Sequence, residues 1–279
     1  MAKKTAVITP LTRGEVKEIC EECQKVGIPK SGMGESVRGD FTEKLSGQTL
    51  CFAFDDHEDI VYRIHSGENI EWSVDNNDFT EEYAQILELD TDPGLFLLNH
   101  LRSFTFPLIN MTLIIDTKTD LVTLIRAELG DSSRPRDVER TIHFGYIQRP
   151  GAVKIRARHK YTVDLVGKII NWHYDYENKF VVKHLYMNNE HMVYLLLEAE
   201  EKERGLLEAA ECDYIKVRDN VYIMSWLEKG HQGMQAVTLM NTKELHDIGS
   251  FFGINIGNKL DNFTFAAWGE ISDTGKQII

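Results

Sequence analysis

The fold is decided by the stretch Leu45-Ser46-Gly47, Phe54-Asp55 and Val61, which returns 120 residues later as Leu165-Val166-Gly167, Tyr174-Asp175 and Val181. Self-similarity at a fixed offset is the sequence signature of repeated structural units. Within residues 40–279 the sequence therefore predicts two copies of one unit, each of roughly 110–120 residues.

The repeat continues along both copies with a small change of offset. Leu95-Phe96-Leu97-Leu98 corresponds to Val221-Tyr222-Ile223-Met224 at an offset of 126, and Asp116-Thr117-Lys118 corresponds to Asn241-Thr242-Lys243 at an offset of 125. The five or six additional residues indicate a longer loop in the second copy. We expect the boundary between the copies in residues 135–163, where Pro150-Gly151 interrupts the pattern.

Each copy has the composition of a small antiparallel β unit. Segments of about five to ten residues are rich in Phe, Tyr, Val, Ile and Thr, and turn residues such as Asp55-Asp56, Asn188-Asn189 and Asp219-Asn220 separate them. Short strands at intervals of about 8–12 residues are typical of sandwiches and barrels. Because closure removes exposed sheet edges, and eight strands enclose just enough space for one small ligand, we expect closed barrels.

A short helix precedes the two copies. Thr12-Arg13-Gly14-Glu15 resembles a capping box, and apolar residues follow it at helical spacing: Val16, Ile19, Cys20, Cys23 and Val26. We expect a helix near residues 12–26 that ends at Gly27 and Pro29, followed by a glycine-rich loop over residues 31–36. The predicted domains are residues 1–39 for helix and loop, 40–150 for the first barrel and 151–279 for the second.

Charge and composition exclude several classes of partner. The chain has 31 basic and 44 acidic residues and a net charge of −13, whereas affinity for nucleic acid comes chiefly from Lys and Arg. The longest apolar run, Met192–Leu197, has six residues, far short of the ~20 that span a bilayer. Cys20-Glu21-Glu22-Cys23 lacks the second cysteine pair of a zinc site, and the thiols suit a reducing compartment. We expect a cytoplasmic protein with no metal, no cofactor, no nucleic-acid partner and no membrane partner.

Two strands of the second copy carry the candidate site. Alternation places two sets of side chains each on one strand face: Trp172 with Tyr174, and Tyr222 with Met224, Trp226 and Glu228. A carboxyl group in line with such an apolar stripe is partly desolvated, which raises its pKa and suits it to donate a proton. The same pattern is also consistent with aromatic residues that only fill the barrel, with Glu228 at a solvated strand end, and with Arg204 as a surface charge.

The second copy also follows an ordered set of motifs. In sequence they are Leu165-x-Gly167, Tyr174-Asp175, a loop with Arg204, Val221-Tyr222-x-x-Ser225-Trp226-x-Glu228, and His246 before Phe251-Phe252. This order resembles bacterial phenolic acid decarboxylases, which are small lipocalin-like barrels. The whole plan, a helical leader and two barrels with Tyr186-Met187-Asn188-Asn189-Glu190-His191 in the second, resembles the molybdenum-cofactor biosynthesis protein F (MoaF) family. Both resemblances imply a mainly β fold of two tandem lipocalin-like (calycin-type) antiparallel β-barrels with a short N-terminal helix.

The decarboxylase resemblance implies roles for individual residues. Two strand tyrosines, an arginine and a glutamate act on the substrate in that family; the second tyrosine, the arginine and the glutamate correspond to Tyr174, Arg204 and Glu228. Trp172 stands in place of the first tyrosine, a departure that counts against the family's own substrate. The first copy departs further, with Phe52 and Phe54 at the tyrosine positions and His100 and Arg102 near the glutamate position. The first barrel is therefore expected to have a degenerate site, or to bind a different ligand through His100 and Arg102.

The favoured interpretation is a cofactor-free lyase or isomerase, decarboxylase-like or cyclase-like, that works by general acid/base catalysis in the second barrel. The expected catalytic residues are Glu228, Tyr174 and Arg204, and the expected substrate-binding residues are Trp172, Tyr222, Trp226 and His246. The expected substrate is a small aromatic or conjugated organic acid. Two alternatives stay open: a lipocalin-type carrier, for example of a pterin or a molybdenum-cofactor-related compound, and a scaffold of two packed barrels. A homodimer is also left open.

Overall fold

The computed structural model describes residues 10–26, 34–74, 76–103, 105–151, 157–175, 179–199, 201, 203–228 and 233–272. These residues form two helices, α1 Arg13–Val26 and α2 Glu35–Arg38, and the strands β1 Thr49–Phe54, β2 Ile60–Ile64, β3 Asn69–Ser73, β4 Thr80–Glu88, β5 Leu95–Arg102, β6 Leu108–Asp116, β7 Leu121–Leu129, β8 Val138–Ile147, β9 Lys160–Tyr161, β10 Ile169–Asp175, β11 Phe180–Tyr186, β12 His191–Glu198, β13 Leu207–Arg218, β14 Val221–Leu227, β15 Gln235–Asn241, β16 His246–Ile254 and β17 Leu260–Ile271. The predicted mainly β class is confirmed.

The strands close into two antiparallel barrels. β1 to β8 pair in sequence order, and β1 pairs with β8 to complete the first barrel. In the second, β10 to β17 form a ring that is completed by pairing of β10 with β17 and of β12 with β13, while β9 adds to β13 outside the ring. The prediction of two tandem barrels is therefore confirmed.

The repeated turn is built in the same way in both copies. Leu45 and Leu165 are buried, and each is followed by a glycine in the left-handed region, Gly47 with φ 77° and Gly167 with φ 84°. Each glycine donates its backbone N–H across the barrel end, Gly47 to Ile64 over 2.7 Å and Gly167 to Tyr186 over 2.8 Å. Because a side chain strains this backbone region, glycine is favoured at both positions.

The outer faces of the two barrels pack against each other. Five apolar side chains of the first barrel meet five of the second: Leu87, Leu95, Leu97, Ile114 and Ile125 against Ile223, Val237, Leu239, Ile248 and Ala266. Within the same interface Asn99 and Asn110 each donate from Nδ2 to Oδ1 of Asn262, both over 3.0 Å. A strand with one face in its barrel and the other in this interface is buried along its whole length, as β14, β15 and β16 are.

The N-terminal helix packs on the end of both barrels. Val16 and Cys20 of α1 are buried against Leu129 of the first barrel and Phe252 of the second. The helix confirms the prediction for residues 12–26, and its predicted stop at Gly27 and Pro29 lies outside the described residues. The expected glycine-rich loop is only partly described: residues 31–33 lie outside, and 35–38 form the single turn of α2 rather than loop. In the described part of the chain, no helix has the length and apolarity needed to cross a membrane.

Candidate active site in the second barrel

Strand β14 sends one face of its side chains into the second barrel. Tyr222, Met224 and Trp226 belong to the barrel core, whereas Ile223 faces the first barrel. Glu228 follows directly after the strand in the same alternation. Its backbone N–H donates to the carbonyl oxygen of Met234 over 2.8 Å. At about 3.3 Å per residue, Glu228 lies roughly 20 Å from Tyr222 along the direction of β14.

A cavity of about 210 Å³ opens at the barrel end where β14 stops. Its wall is formed by strand ends and by the turns after β12 and β14: Tyr174, Phe180, Val182, His184, Tyr194, Leu196, Glu203, Leu206, Trp226, Glu228, Met234, Phe251, Asp261 and Phe263. Aromatic and aliphatic side chains dominate, and a few polar groups converge on the space. This combination is typical of sites for small molecules.

Glu228 is a buried acid on this wall. Burial in the apolar barrel raises its pKa to about 7, and the nearby carboxyl group of Glu208 adds to the rise. The indole Nε1 of Trp226 donates to Oε1 of Glu228 over 3.2 Å, and this hydrogen bond lowers the pKa of Glu228. The predicted rise in the pKa of Glu228 is therefore found, and its main cause is desolvation, as expected.

His184 is a polar member of the wall that sequence analysis missed. It lies on β11, is 2% exposed, and its Nδ1 is buried without a hydrogen-bond partner. Burial lowers the pKa of His184 to about 3, so its imidazole ring is neutral at physiological pH. The available signal was its alternation with Val182 and Tyr186, which places all three inside the barrel.

Tyr194 and Glu208 form a second pair that sequence analysis missed. They stand opposite each other on β12 and β13, and the Tyr194 hydroxyl donates to Oε2 of Glu208. Burial, together with the carboxyl groups of Glu228 and Glu208, raises the pKa of Tyr194, so its hydroxyl stays protonated. The pair comes from strands that carry no recognisable motif, and the pairing of β12 with β13 and of β13 with β14 brings it near Glu228.

Tyr174 lines the cavity, but Arg204 does not. Burial raises the pKa of Tyr174 well above its usual value, and its ring packs against Phe265 with centroids 5.4 Å apart. Arg204 is exposed in the turn after β12, and the neighbouring Glu203 takes the place on the wall. The expected pairing of Tyr174 with Arg204 around an anionic group is therefore not assembled. Glu203 and Arg204 are adjacent in the turn, so a difference of one residue puts an acid on the cavity wall where a cation was expected.

Trp172, Tyr222 and His246 also lie away from the cavity, although they were expected to bind substrate. Trp172 is deeper in the barrel, where its Nε1 donates to the Tyr186 hydroxyl over 3.1 Å. Tyr222 is at the opposite end and donates its hydroxyl to Oδ2 of Asp164 over 3.2 Å. His246 faces outward and stacks on Trp268 with ring centroids 4.2 Å apart. The next residue on β16, Asp247, takes the inward position.

In the first barrel, the His100 ring is already fully engaged. Its Nδ1 donates to the carbonyl of Leu101 over 3.0 Å, so its Nε2 accepts from the Tyr62 hydroxyl over 2.9 Å. The Arg102 guanidinium lies over the ring of Trp72, 4.7 Å from the centroid. His100 is 0% exposed, and its burial lowers its pKa to about 4. Nothing in this geometry favours the alternative of a ligand held by His100.

The two halves of the chain match two family models. The MoaF N-terminal domain matches residues 31–131, and the MoaF C-terminal domain matches residues 159–274, which contain the cavity. The chain belongs to the MoaF family. Among solved structures, this MoaF-family protein is similar to a Burkholderia vietnamiensis protein with a provisional beta-lactamase assignment, at 14% identity and a TM-score of 0.32, over 39% of this chain and 96% of that chain. At this TM-score the similarity supports no conclusion about fold or function. No curated protein gives a significant match.

The buried Glu228 should make the stability of the protein depend on pH. Its pKa is raised from 4.5 in the reference state to about 7 in the folded state, so the folded chain binds more protons between these values. The free energy of unfolding should therefore fall as pH rises from about 4.5 to 7. At pH 8, Glu228→Gln should be more stable than the parent protein by up to the order of 3 kcal/mol, with no such gain at pH 4.5.

Urea unfolding of the parent and Glu228→Gln proteins at both pH values measures this difference. Glu18→Gln, on the exposed side of α1, is the control and should change the free energy of unfolding equally at both values. An equal effect of Glu228→Gln at pH 4.5 and pH 8 would contradict the buried, proton-binding state of Glu228.

Proposed function

We propose that the second barrel of this MoaF-family protein is the active site of a cofactor-free lyase or isomerase that moves a proton to or from a small aromatic or conjugated molecule. One observation carries the proposal: Glu228, with a pKa of about 7, lies on the wall of an apolar cavity. A general acid works best when its pKa is close to the pH at which it operates.

The surroundings of Glu228 suit proton transfer. The bond from Trp226 holds Oε1 in place, so Oε2 is the oxygen that carries the proton to the substrate. The rings of Trp226 and Phe251, with centroids 5.9 Å apart, offer faces and edges to a flat substrate. The hydroxyl of Tyr174 and the neutral ring of His184 supply hydrogen bonds to a polar substituent. The proton donor and the binding surface thus belong to one cavity.

The decarboxylase resemblance supports Glu228 as the proton donor, but it gives less support to that family's own substrate. By that resemblance the family's glutamate corresponds to Glu228 and its second strand tyrosine to Tyr174, and both residues line the cavity. The expected arginine, Arg204, is exposed. Decarboxylation, cyclisation and dehydration of a conjugated molecule all need a proton donor, and this shared step is what we propose for Glu228.

A non-catalytic carrier is the second candidate, and His184 favours it. An unpartnered imidazole nitrogen in a barrel cavity is what a stationary binding site would offer to a ligand. A carrier needs the cavity and its hydrogen bonds but does not need a titrating acid. The two candidates therefore differ in the role of Glu228 alone.

Solvent deuterium distinguishes the two candidates. The full chain is incubated in D₂O with 4-hydroxycinnamate, 4-hydroxycinnamyl alcohol and 4-hydroxycinnamylamine, and mass spectrometry measures deuterium gained at the side-chain carbons. An enzyme should incorporate deuterium into at least one compound or its product, and Glu228→Gln should stop this incorporation. Native mass spectrometry of the same mixtures detects a carrier as a complex without deuterium gain. Incorporation that is equal in the two proteins, or binding without incorporation, overturns the catalytic proposal.

A further inference from the structure

We infer that Asp247 is a positioning residue of the proposed site: from below the cavity it donates a hydrogen bond to the Tyr174 hydroxyl, which in turn donates to an oxygen of the ligand. The ligand class that this arrangement suits is a conjugated molecule with an oxygen that becomes negative, such as a phenolate or an enolate. The inference deepens the proposed function and so rests on the location of that site. It is carried by a buried acid that proton transfer by Glu228 leaves without a role.

Asp247 is an acid inside the second barrel. On β16 it alternates with Ile248, which faces the first barrel, and shares the inward direction with Phe251 of the barrel core. It is 1% exposed, and among the described residues neither oxygen of its carboxyl group has a hydrogen-bond partner. An unpartnered polar group in an apolar core is unfavourable, which points to a partner that is supplied during function.

The carboxyl group of Asp247 is neutral at physiological pH. Burial raises its pKa well above the usual value, and the nearby backbone N–H of Ala267 opposes this rise without meeting hydrogen-bond geometry. A carboxylic acid that an apolar site keeps neutral has an O–H to donate. Asp247 therefore offers a donor without placing a charge in the barrel.

Strand pairing brings Tyr174 close to Asp247. Asp247 pairs with Ala267 of β17, whose small side chain belongs to the barrel core. On the other edge of β17, the register of β10 continues past the pair of His173 with Trp268 and brings Tyr174 beside the same alanine. After burial, the largest contribution to the raised pKa of Tyr174 is the charge that Asp247 carries when ionised. The two side chains thus lie within electrostatic reach across a single methyl group.

A second tyrosine near Asp247 is already engaged. The charge of Asp247 also raises the pKa of Tyr186, but the Tyr186 hydroxyl accepts from Nε1 of Trp172 over 3.1 Å and donates to Sδ of Met240 over 3.8 Å. The described wall of the cavity includes Tyr174 and does not include Tyr186. A hydrogen bond from Asp247 can therefore be passed to a ligand through Tyr174.

The Tyr174 hydroxyl is influenced by two acids, because the charges of both Asp247 and Glu228 raise its pKa. When Glu228 moves a proton to or from a conjugated carbon, the electron pair shifts from or towards the conjugated oxygen. A hydroxyl that accepts from Asp247 is a stronger donor to that oxygen, since hydrogen bonds in a chain polarise one another. Asp247 and Tyr174 keep their own protons, and bonds of this kind commonly tighten only when a ligand is bound.

Three substitutions separate this role from simple packing. Asp247→Leu replaces the carboxyl group with an apolar group of similar size, and Asp247→Asn keeps a donor. Thr238→Val is the matched control, because Thr238 pairs with Met224 of the same barrel core and its buried Oγ1 also has no described partner. Since Asp247→Leu removes an unpartnered polar group, urea unfolding at pH 7 should show no loss of stability.

Binding of 4-nitrophenol measures hydrogen-bond donation without a reaction, because its phenol and phenolate forms absorb at different wavelengths. The bound probe is titrated with pH in full-length Glu228→Gln, where residue 228 no longer ionises. Adding Asp247→Leu should lower the acid ionisation constant of the bound probe about threefold or more, because its phenolate loses support. Adding Asp247→Asn or Thr238→Val should change that constant less than about 1.5-fold.

Turnover gives the second measurement. With a compound that gains deuterium, Asp247→Leu in the otherwise unchanged chain should lower kcat about tenfold or more and change KM less than about threefold, and Asp247→Asn should restore most of kcat. If the leucine variant does not fold, Asp247→Ala removes the same donor without adding volume.

Several results would overturn the inference. They are no binding of 4-nitrophenol at millimolar concentration, an ionisation constant that Asp247→Leu and Asp247→Ala leave unchanged, and an effect of Thr238→Val as large as that of Asp247→Leu. The probe titration involves no turnover, so it can succeed while Glu228→Gln leaves deuterium incorporation unchanged. In that case the catalytic proposal fails alone, and the reverse pair of results rejects only the role of Asp247.

Discussion

Replacing Glu228 with glutamine is expected to lower turnover in the second barrel by about 10²–10⁴-fold, the usual contribution of a general acid. Glutamine keeps the shape of the side chain and an acceptor for the Trp226 indole but has no acidic proton to transfer. Affinity for a neutral ligand should change little, because the walls of the cavity are unaltered. Steady-state kinetics on the compound that gains deuterium, with ligand titration on the same samples, measures both quantities.

The pH profile provides an independent check on the same acid. Glu228 must be protonated to donate, so activity should fall as pH rises through about 7. Tyr174 and Tyr194 have raised pKa values and His184 a lowered one, so none of them accounts for a decline in that range. A change below about threefold in Glu228→Gln would leave Glu228 as a strand-end residue. The carrier would then be the better interpretation.

Replacing Arg218 with alanine is expected to lower the free energy of unfolding by about 3–5 kcal/mol, as is typical when one partner of a buried ion pair is removed. Arg218 stands at the end of β13 in the second barrel and donates from Nε to Asp116 over 2.8 Å and from Nη1 to Asp92 over 2.6 Å, both in the first barrel. Asp116 has a fully buried side chain. Without Arg218, its charge is left uncompensated between the barrels.

The pH dependence of this effect has a definite sign. Burial alone would raise the pKa of Asp116, but Arg218 and the backbone N–H of Thr119 bring it below its usual value. The stabilisation is therefore present above pH ~4 and is lost as pH falls through the lowered pKa in the folded state. Urea unfolding should thus show a deficit for Arg218→Ala that is large at pH 7 and smaller below pH 4.

An exposed ion pair serves as the control for Arg218. Arg149 donates to Asp120 over 2.5 Å, but its side chain is 49% exposed. Solvent-exposed pairs contribute about 0–1 kcal/mol, so Arg149→Ala should cost less than 1 kcal/mol. Equal losses for the two variants would show that Arg218 does not hold the barrels together through a desolvated contact.

Local features of the architecture were readable from sequence. The repeated turn at Gly47 and Gly167 has a backbone conformation that favours glycine, so the same residue occurs in both copies. A second shared turn ends β6 and β15, where Asp116 and Asn241 each accept two backbone N–H groups through Oδ1. These contacts span a few residues, and a few residues are enough to predict them.

The composition of the cavity was readable only in part. Trp226 lies on β14 and Glu228 directly follows that strand in the same alternation, so alternation predicted their common face and the desolvation of the acid. Tyr222 shares that face too, yet its hydroxyl contacts Asp164 at the far end of the barrel. Alternation gives the direction of a side chain but not its depth, and depth separates the cavity from the packed core below it.

The sequence by itself determined the tandem β architecture, the N-terminal helix and the inward direction of Tyr174, Trp226 and Glu228, because these follow from turns and periodicities within single elements. Only the tertiary structure decided that His184, Tyr194 and Glu203 line the cavity wall and that Arg204 does not, because the register of pairing from β11 to β14 and the pairing of β10 with β17 set which side chains reach the cavity. Tyr194, Glu208 and Glu228 come from successive segments of the chain that pair side by side in the barrel. No spacing along one strand encodes their proximity.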